Sequence, residues 1–203
     1  PSWNPFRDTS RNFSLARQNK TVFYCVLSIS WFWLFGSCFL TQVPNFAVKN
    51  LQGEPMLSSI LIAAFIIGIA IGCLMCSNLS GERVEPGIIP LGAAGLSLFS
   101  LDLYYSFNAY ADNLSPESLV SIMSFLKINS GLRILDDLIL IGAFGGLFIV
   151  PLYAMIQERT KSGKRARIIA VNNIINAIFM VLGSLLGIVF LAFLGWNIPE
   201  FFR

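Results

Sequence analysis

The 203-residue chain contains no histidine, and charged residues make up only 12% of it. Without histidine there is no Ser-His-Asp triad, no imidazole metal ligand and no histidine proton relay. Soluble domains carry charge on about a quarter of their residues. This chain is instead 55% hydrophobic, with a mean hydropathy of +0.70. Few ordinary enzyme mechanisms remain, and the composition favours a membrane protein.

The chain has four cysteines and a modest net positive charge. The four cysteines lie in apolar runs, and because Cys73 and Cys76 make only one CxxC motif we interpret them as small hydrophobic residues. The net charge of +3 comes without a basic patch interleaved with aromatic residues. No metal, cofactor or nucleic-acid partner is expected. The chain begins at Pro1 without a signal-peptide pattern, so we expect it to belong to a longer protein.

Five apolar stretches have the roughly 20 residues needed to cross about 30 Å of hydrocarbon. These predicted spans are 21-40, 56-75, 88-107, 135-156 and 168-194. The sequence therefore predicts an all-α polytopic bundle over 21-194, followed by a tail at 195-203. Residues 1-20 are polar and basic with spaced aromatic side chains, which predicts an interfacial helix before the first span.

The positions of lysine and arginine predict the orientation, because cytoplasmic loops retain positive charge. If residues 1-20 are cytoplasmic, ten of the fourteen lysines and arginines lie on that side. The densest group precedes the last span and is interpreted as a topology signal. It consists of Arg159, Lys161, Lys164, Arg165 and Arg167. These side chains also suit the headgroups of anionic lipids.

Small residues recur every four positions in the second and fifth spans. The residues are Ala64, Gly68, Gly72 and Cys76 in the second span, and Gly183 and Gly187 in the fifth. This spacing makes a flat stripe along one helix face and lets a neighbouring backbone approach closely. Tight packing is the simpler interpretation. The alternative is that the smooth face lets the helices rock during alternating access.

Three amides, Asn172, Asn173 and Asn176, lie just inside the fifth apolar run. An unpaired amide in hydrocarbon is costly, so we expect these side chains to face the bundle or a wet cavity. Hydrogen bonding between helices and lining of a transport cavity both fit the pattern. Gln42 and Asn45, at the end of the first span, are assigned to the outer mouth of the same pathway.

Charged residues mark two other places. Arg133 precedes Asp136 and Asp137 by three and four residues, which predicts ion pairs on one helical face at the outer mouth. An interfacial ion pair and a functional site are both open there. On the cytoplasmic side, the loop residues Gly81, Glu82 and Arg83 predict a latch whose ion pairs break when the helices move, and simple solvation of the loop is the alternative.

Four stretches cover most of the chain: "WNPFRDTSRN", "ISWFWLFGSCFLTQVPNFA", "CSNLSGERVEPGIIPLGAAGLSLFSLDLYY" and "GGLFIVPLYAMIQERTKSGKRARIIAVNNIINAIFM". In this order they resemble the carboxyl-terminal half of a major facilitator superfamily transporter, in its bacterial lysophospholipid branch. The resemblance implies that the spans are the seventh to eleventh of twelve and that 1-20 is the linker between halves. The loop with Ser77 and Asn78 departs from the acidic family pattern, which weakens the predicted latch.

The resemblance also implies a function and its partners. Such a protein moves a lysophospholipid, lysophosphatidylethanolamine above all, across the bacterial inner membrane for re-acylation. Its partners are membrane lipids, the amino-terminal half and, in fused members, an acyltransferase and acyl-acyl-carrier-protein synthetase. Two alternatives remain open: export of a small solute or drug, and a membrane platform for a fused acyltransferase. No catalytic residue is expected in this segment.

Overall fold

A computed structural model describes residues 5–81, 85–112, 119–198 and 200 of the chain. Every regular element within them is helical. The α-helices are α1 (Pro5–Arg17), α2 (Lys20–Asn45), α3 (Pro55–Ser80), α4 (Ile88–Ala111), α5 (Ile122–Lys127), α6 (Asn129–Arg159) and α7 (Arg165–Ile188). Short π-helical turns, Phe46–Asn50 and Val189–Phe193, extend α2 and α7, and a 3-10 turn, Ser162–Lys164, precedes α7. The predicted all-α class is confirmed for this part of the chain.

Five of these helices are long and apolar enough to cross a membrane, as the sequence predicts: α2, α3, α4, α6 and α7. The chain therefore has the helices of a multi-pass membrane protein. Each begins before or ends after its predicted span, as α2 does in running through Pro44 to Asn45. Helix α7 differs at its far end, because it stops at Ile188, before the predicted end at 194, and a π-helical turn continues it to Phe193. Hydropathy marks only the apolar part of a helix, whereas backbone hydrogen bonding continues into the polar residues beyond it.

Helix α6 lies at the centre, with α3 and α4 packed against it, and α2 pairs with α7. The stripe of small residues on α3 faces α6, and a Cβ atom at Gly68 or Gly72 would overlap the carbonyl group of Ile139 or Ala143. Glycines of α6 likewise allow α3 to approach closely, since a Cβ atom at Gly146 would lie 2.8 Å from the carbonyl oxygen of Ile69. The stripe thus permits the backbones of α3 and α6 to touch.

In the contact between α2 and α7, Gly183 similarly lets the two helices approach closely. A Cβ atom at Gly183 would lie 2.9 Å from the carbonyl oxygen of Leu34 and 3.1 Å from Cys38 Sγ. The Cys38 thiol donates to the carbonyl oxygen of Gly183 at 3.2 Å. Gly187, one turn further on, is also buried.

The two ends of the bundle differ in their connections. At the end where α2 and α7 begin, which we call the basic end, Asn19 caps α2 by accepting from the Val22 N–H. At the opposite end, Val120 N–H donates to the carbonyl oxygen of Gln52 at 2.8 Å and ties the loop after α2 to the segment before α5. Of the predicted 195-203 tail, residues 195–198 and 200 are described.

Candidate functional site

Two of the three predicted amides face the interior of the bundle. Asn172 and Asn176 lie one turn apart on α7 and are 1% and 7% exposed. Asn173, between them, is exposed on the outer face of the helix. A spacing of four residues keeps two side chains on one face of a helix, whereas the next residue is rotated away by about 100°. The structure therefore brings Asn172 and Asn176 together and leaves Asn173 out.

The orientation of the Asn176 amide is assigned from its neighbours. The Ser30 hydroxyl donates its single proton to the carbonyl oxygen of Val26 at 2.9 Å. It therefore accepts from Asn176 Nδ2, at 2.8 Å, and the same nitrogen donates to the carbonyl oxygen of Asn172 at 3.1 Å. Asn176 Oδ1 accepts from Asn172 Nδ2 at 3.0 Å and from Trp33 Nε1 at 3.3 Å. All the polar atoms of the Asn176 side chain are satisfied.

The network reaches a third helix through Asn172, whose Nδ2 donates to the Tyr153 hydroxyl of α6 at 3.4 Å. Asn172 Oδ1 is buried without a hydrogen-bond partner among the described residues. Along α7, Asn176 lies eleven residues beyond Arg165, which is about 16 Å at 1.5 Å per residue. The amides therefore join α2, α6 and α7 near the middle of the apolar span Ser162–Phe193.

An apolar groove of about 400 Å³ lies between α2, α4 and α7, and on α7 its lining residues, Leu186 and Phe190, follow Asn176 by ten and fourteen residues. On α2, the stacked rings of Trp31 and Phe35, 6.2 Å apart, form one wall. On α4, the groove is lined by Ser100, whose hydroxyl is buried and has no hydrogen-bond partner among the described residues. Helix α2 thus presents hydrogen-bonding groups to the network on one face and aromatic rings to the groove on the next.

A second polar cluster joins α4 to α6 near the opposite end of the bundle. Arg133 forms an ion pair with Asp102, in which Arg133 Nε lies 3.2 Å from Asp102 Oδ2. The Ser106 hydroxyl donates to Asp137 Oδ2 at 2.5 Å, and Asp137 is 2% exposed. The predicted pairing of Arg133 with Asp136 and Asp137 on its own helix is wrong. Asp136 lies on the exposed face of α6. Asp102 of α4 is closer to the Arg133 guanidinium.

The remaining predicted residues do not join either cluster. Asn45 Nδ2 donates to Gln42 Oε1 at 3.2 Å on α2, and the structure records no hydrogen bond from this pair to Arg133 in the part of the chain that it describes. Gly81 ends α3 in the left-handed conformation, with φ of 51°. Glu82 and Arg83 lie outside the described residues, so the predicted latch has no described geometry.

Several partners in these clusters were not predicted. Ser30, Trp33 and Tyr153 complete the amide network, and Ser106 is the donor to Asp137. The hydroxyl of a serine in an apolar helix ordinarily donates to the carbonyl oxygen one turn earlier, so the sequence around it does not indicate an interhelical role. The only signal available was a polar atom at membrane depth, which each of these side chains has.

Comparisons with protein-family models, with curated proteins and with solved structures found no match to this chain. The described residues form an apolar helical bundle with a polar network at mid-span, an apolar groove between α2, α4 and α7 and a charged cluster toward one end.

Proposed function

We propose that the chain is part of a secondary transporter of the major facilitator superfamily, which moves a lysophospholipid such as lysophosphatidylethanolamine across the bacterial inner membrane for re-acylation. The observation that carries the proposal is the amide network of Asn172 and Asn176 at mid-span, in a bundle whose helices α2 and α7 also line an apolar groove. A lysophospholipid pairs one acyl chain with a polar headgroup, so its pathway needs both a polar and an apolar surface. The sequence resemblance supports the same substrate class.

The amide network offers a specific contact for the headgroup. Asn172 Oδ1 is an acceptor without a partner among the described residues, and a lysophospholipid carries an ammonium or hydroxyl donor that matches it. The link between Asn172 and Tyr153 is long, at 3.4 Å. When the headgroup enters, one of its oxygens can accept from Asn172 Nδ2 in place of the Tyr153 hydroxyl, while its donor pairs with Asn172 Oδ1, so the amide is never left unpaired in the membrane.

The groove suits the acyl chain. Its volume of about 400 Å³ falls in the range of roughly 300 to 1,000 Å³ that is typical of small-molecule sites. Aromatic rings line one wall, and Ser100 contributes an isolated hydroxyl that can donate to an ester carbonyl. A polar solute would leave these rings facing water, whereas an acyl chain covers them.

The test is uptake of fluorescent lysophosphatidylethanolamine by proteoliposomes of the full-length protein. We expect Asn172→Leu to lower the initial rate at least tenfold, while Asn173→Leu, the same change on the exposed face, leaves it unchanged. Competition distinguishes this proposal from the drug-export alternative. Unlabelled lysolipid should suppress uptake of the fluorescent lysolipid if the protein transports lysolipids, whereas only amphipathic drugs should suppress it if the protein is a drug exporter. Equal rates for the two variants would remove the amide network from the pathway.

A further inference from the structure

The basic end of the bundle contains a second, smaller cavity, of about 160 Å³, between the start of α2 and the turn that joins α6 to α7. Its floor is apolar, and its rim carries amide, hydroxyl and cationic groups. The polar lining residues are Gln18, Asn19, Arg159, Thr160, Lys161 and Lys164. None of the residues that line it is acidic, and the neighbouring Glu158 is exposed on the surface.

Thr160 gives this cavity a built-in hydrogen-bonding group. The residue is 8% exposed, and its Oγ1 has no hydrogen-bond partner among the described residues. Its carbonyl oxygen is already occupied, since Arg165 Nε donates to it at 3.2 Å. A buried hydroxyl without a partner is costly, so the side chain is suited to a ligand oxygen that enters the cavity.

The charges around Thr160 indicate which ligand would supply that oxygen. Arg159, Lys161 and Lys164 surround the cavity, and the amino-terminal ends of α2 and α7, both long helices, adjoin it. Backbone N–H groups and the helix dipole favour an anion at such an end. Cations, a hydroxyl and two helix ends together match the several oxygens of a phosphate group.

The surroundings favour a phosphate that is attached to lipid. Leu15, Val22 and Ile168 form the apolar part of the cavity, and Val22 and Ile168 belong to helices long enough to cross the membrane. Basic pockets between spanning helices are where anionic headgroups bind. At about 160 Å³ the cavity admits a phosphate and not the acyl chains, which then lie along the exposed apolar side of α7, where Ile169 is 38% exposed.

We infer that this cavity binds the phosphate of an anionic phospholipid, such as phosphatidylglycerol, from the membrane leaflet at the basic end. The phosphate accepts from the Thr160 hydroxyl and pairs with Lys161 and Lys164. The bound lipid clamps the start of α2 to the α6–α7 turn, which the 3.5 Å hydrogen bond from Asn19 Nδ2 to the Arg159 carbonyl oxygen also connects. The site lies apart from the amide network and does not depend on the proposed transport function.

Lipid titration of the purified full-length protein tests this site, with thermal stability and retained lipid in native mass spectrometry as readouts. Phosphatidylglycerol is expected to raise the melting temperature, whereas phosphatidylcholine, glycerol 1-phosphate and inorganic phosphate leave it unchanged. Lys161→Gln and Lys164→Gln should each weaken phosphatidylglycerol binding about fivefold. Lys127→Gln, at the opposite end of the bundle, is the control and should bind normally.

Substitution of Thr160 is the more specific test of the site, because Thr160→Val keeps the shape of the side chain and removes only the hydroxyl. We expect about fivefold weaker binding for Thr160→Val and normal binding for Thr160→Ser. The inference is overturned if Thr160→Val and the variant that combines Lys161→Gln with Lys164→Gln retain phosphatidylglycerol as the original protein does. It is equally overturned if inorganic phosphate or glycerol 1-phosphate stabilises the protein as well as the lipid, which would mean a site for a soluble anion.

Discussion

Replacing Asn176 with leucine removes the centre of the polar network without leaving a hole, since the two side chains are similar in size. The change deletes four hydrogen bonds, to Ser30, Trp33 and two atoms of Asn172. Two of these bonds join α7 to α2 and two lie within α7. Interhelical hydrogen bonds in membrane proteins average about 0.6 kcal/mol each, and we take the same value for all four. The sum is about 2 kcal/mol, and the Asn172 amide nitrogen, which also bonds Tyr153, keeps one partner.

We therefore expect Asn176→Leu to lower the free energy of unfolding by about 2 kcal/mol, roughly a 30-fold shift in the equilibrium. Asn173→Leu is the matched control, because it makes the same substitution at an exposed position on the same helix. It should alter stability by less than about 0.5 kcal/mol.

The assay is reversible unfolding of the full-length protein in mixed micelles, with increasing dodecyl sulfate and circular dichroism at the helical band as the signal. Both variants need the same slope against denaturant for their midpoints to be compared. If Asn176→Leu and Asn173→Leu unfold at the same midpoint, the network does not hold α7 to α2, and the reasoning from buried amides is refuted.

Two further changes probe the helix contacts by the same assay. Gly72→Val should cost at least about 1 to 3 kcal/mol, because the added atoms overlap the rigid backbone of α6, whereas Gly36→Ala, with open space around its Cβ position, should be neutral or slightly stabilising. Ser106→Ala should cost about 1 to 3 kcal/mol because buried Asp137 loses its donor; Ser97→Ala, at an exposed site on the same helix, should have no measurable effect. Equal midpoints within either pair would contradict the packing described for that contact.

The features that were predictable from sequence are those set by local periodicity. Apolar runs gave the number of spans, and four-residue spacing gave the small-residue face of α3, which Gly68 and Gly72 present to α6. The spacing of Asn172 and Asn176 likewise placed both amides on one face. Each of these properties depends on one helix alone, so the sequence of that helix is enough to reveal it.

The partners of those faces were not predictable, because they come from helices distant in the chain. Local spacing favoured Arg133 with the acids of its own helix, yet the ion pair is with Asp102, 31 residues away. Ser30 meets Asn176 across 146 positions. Such contacts depend on the rotation and crossing of two packed helices, which no single-helix pattern records. Thr160 was missed for the same reason, since its burial depends on how the α6–α7 turn meets α2.

The most direct test of the proposed function is lysolipid transport by the full-length protein alone in proteoliposomes. Fluorescent lysophosphatidylethanolamine is added outside, and the protected fraction is measured after albumin extracts the label from the outer leaflet. We expect label to become protected at a rate that saturates with substrate and that Asn172→Leu reduces at least tenfold. Protection no faster than in protein-free liposomes, or equally fast for Asn172→Leu and the original protein, would contradict lysophospholipid transport through this bundle.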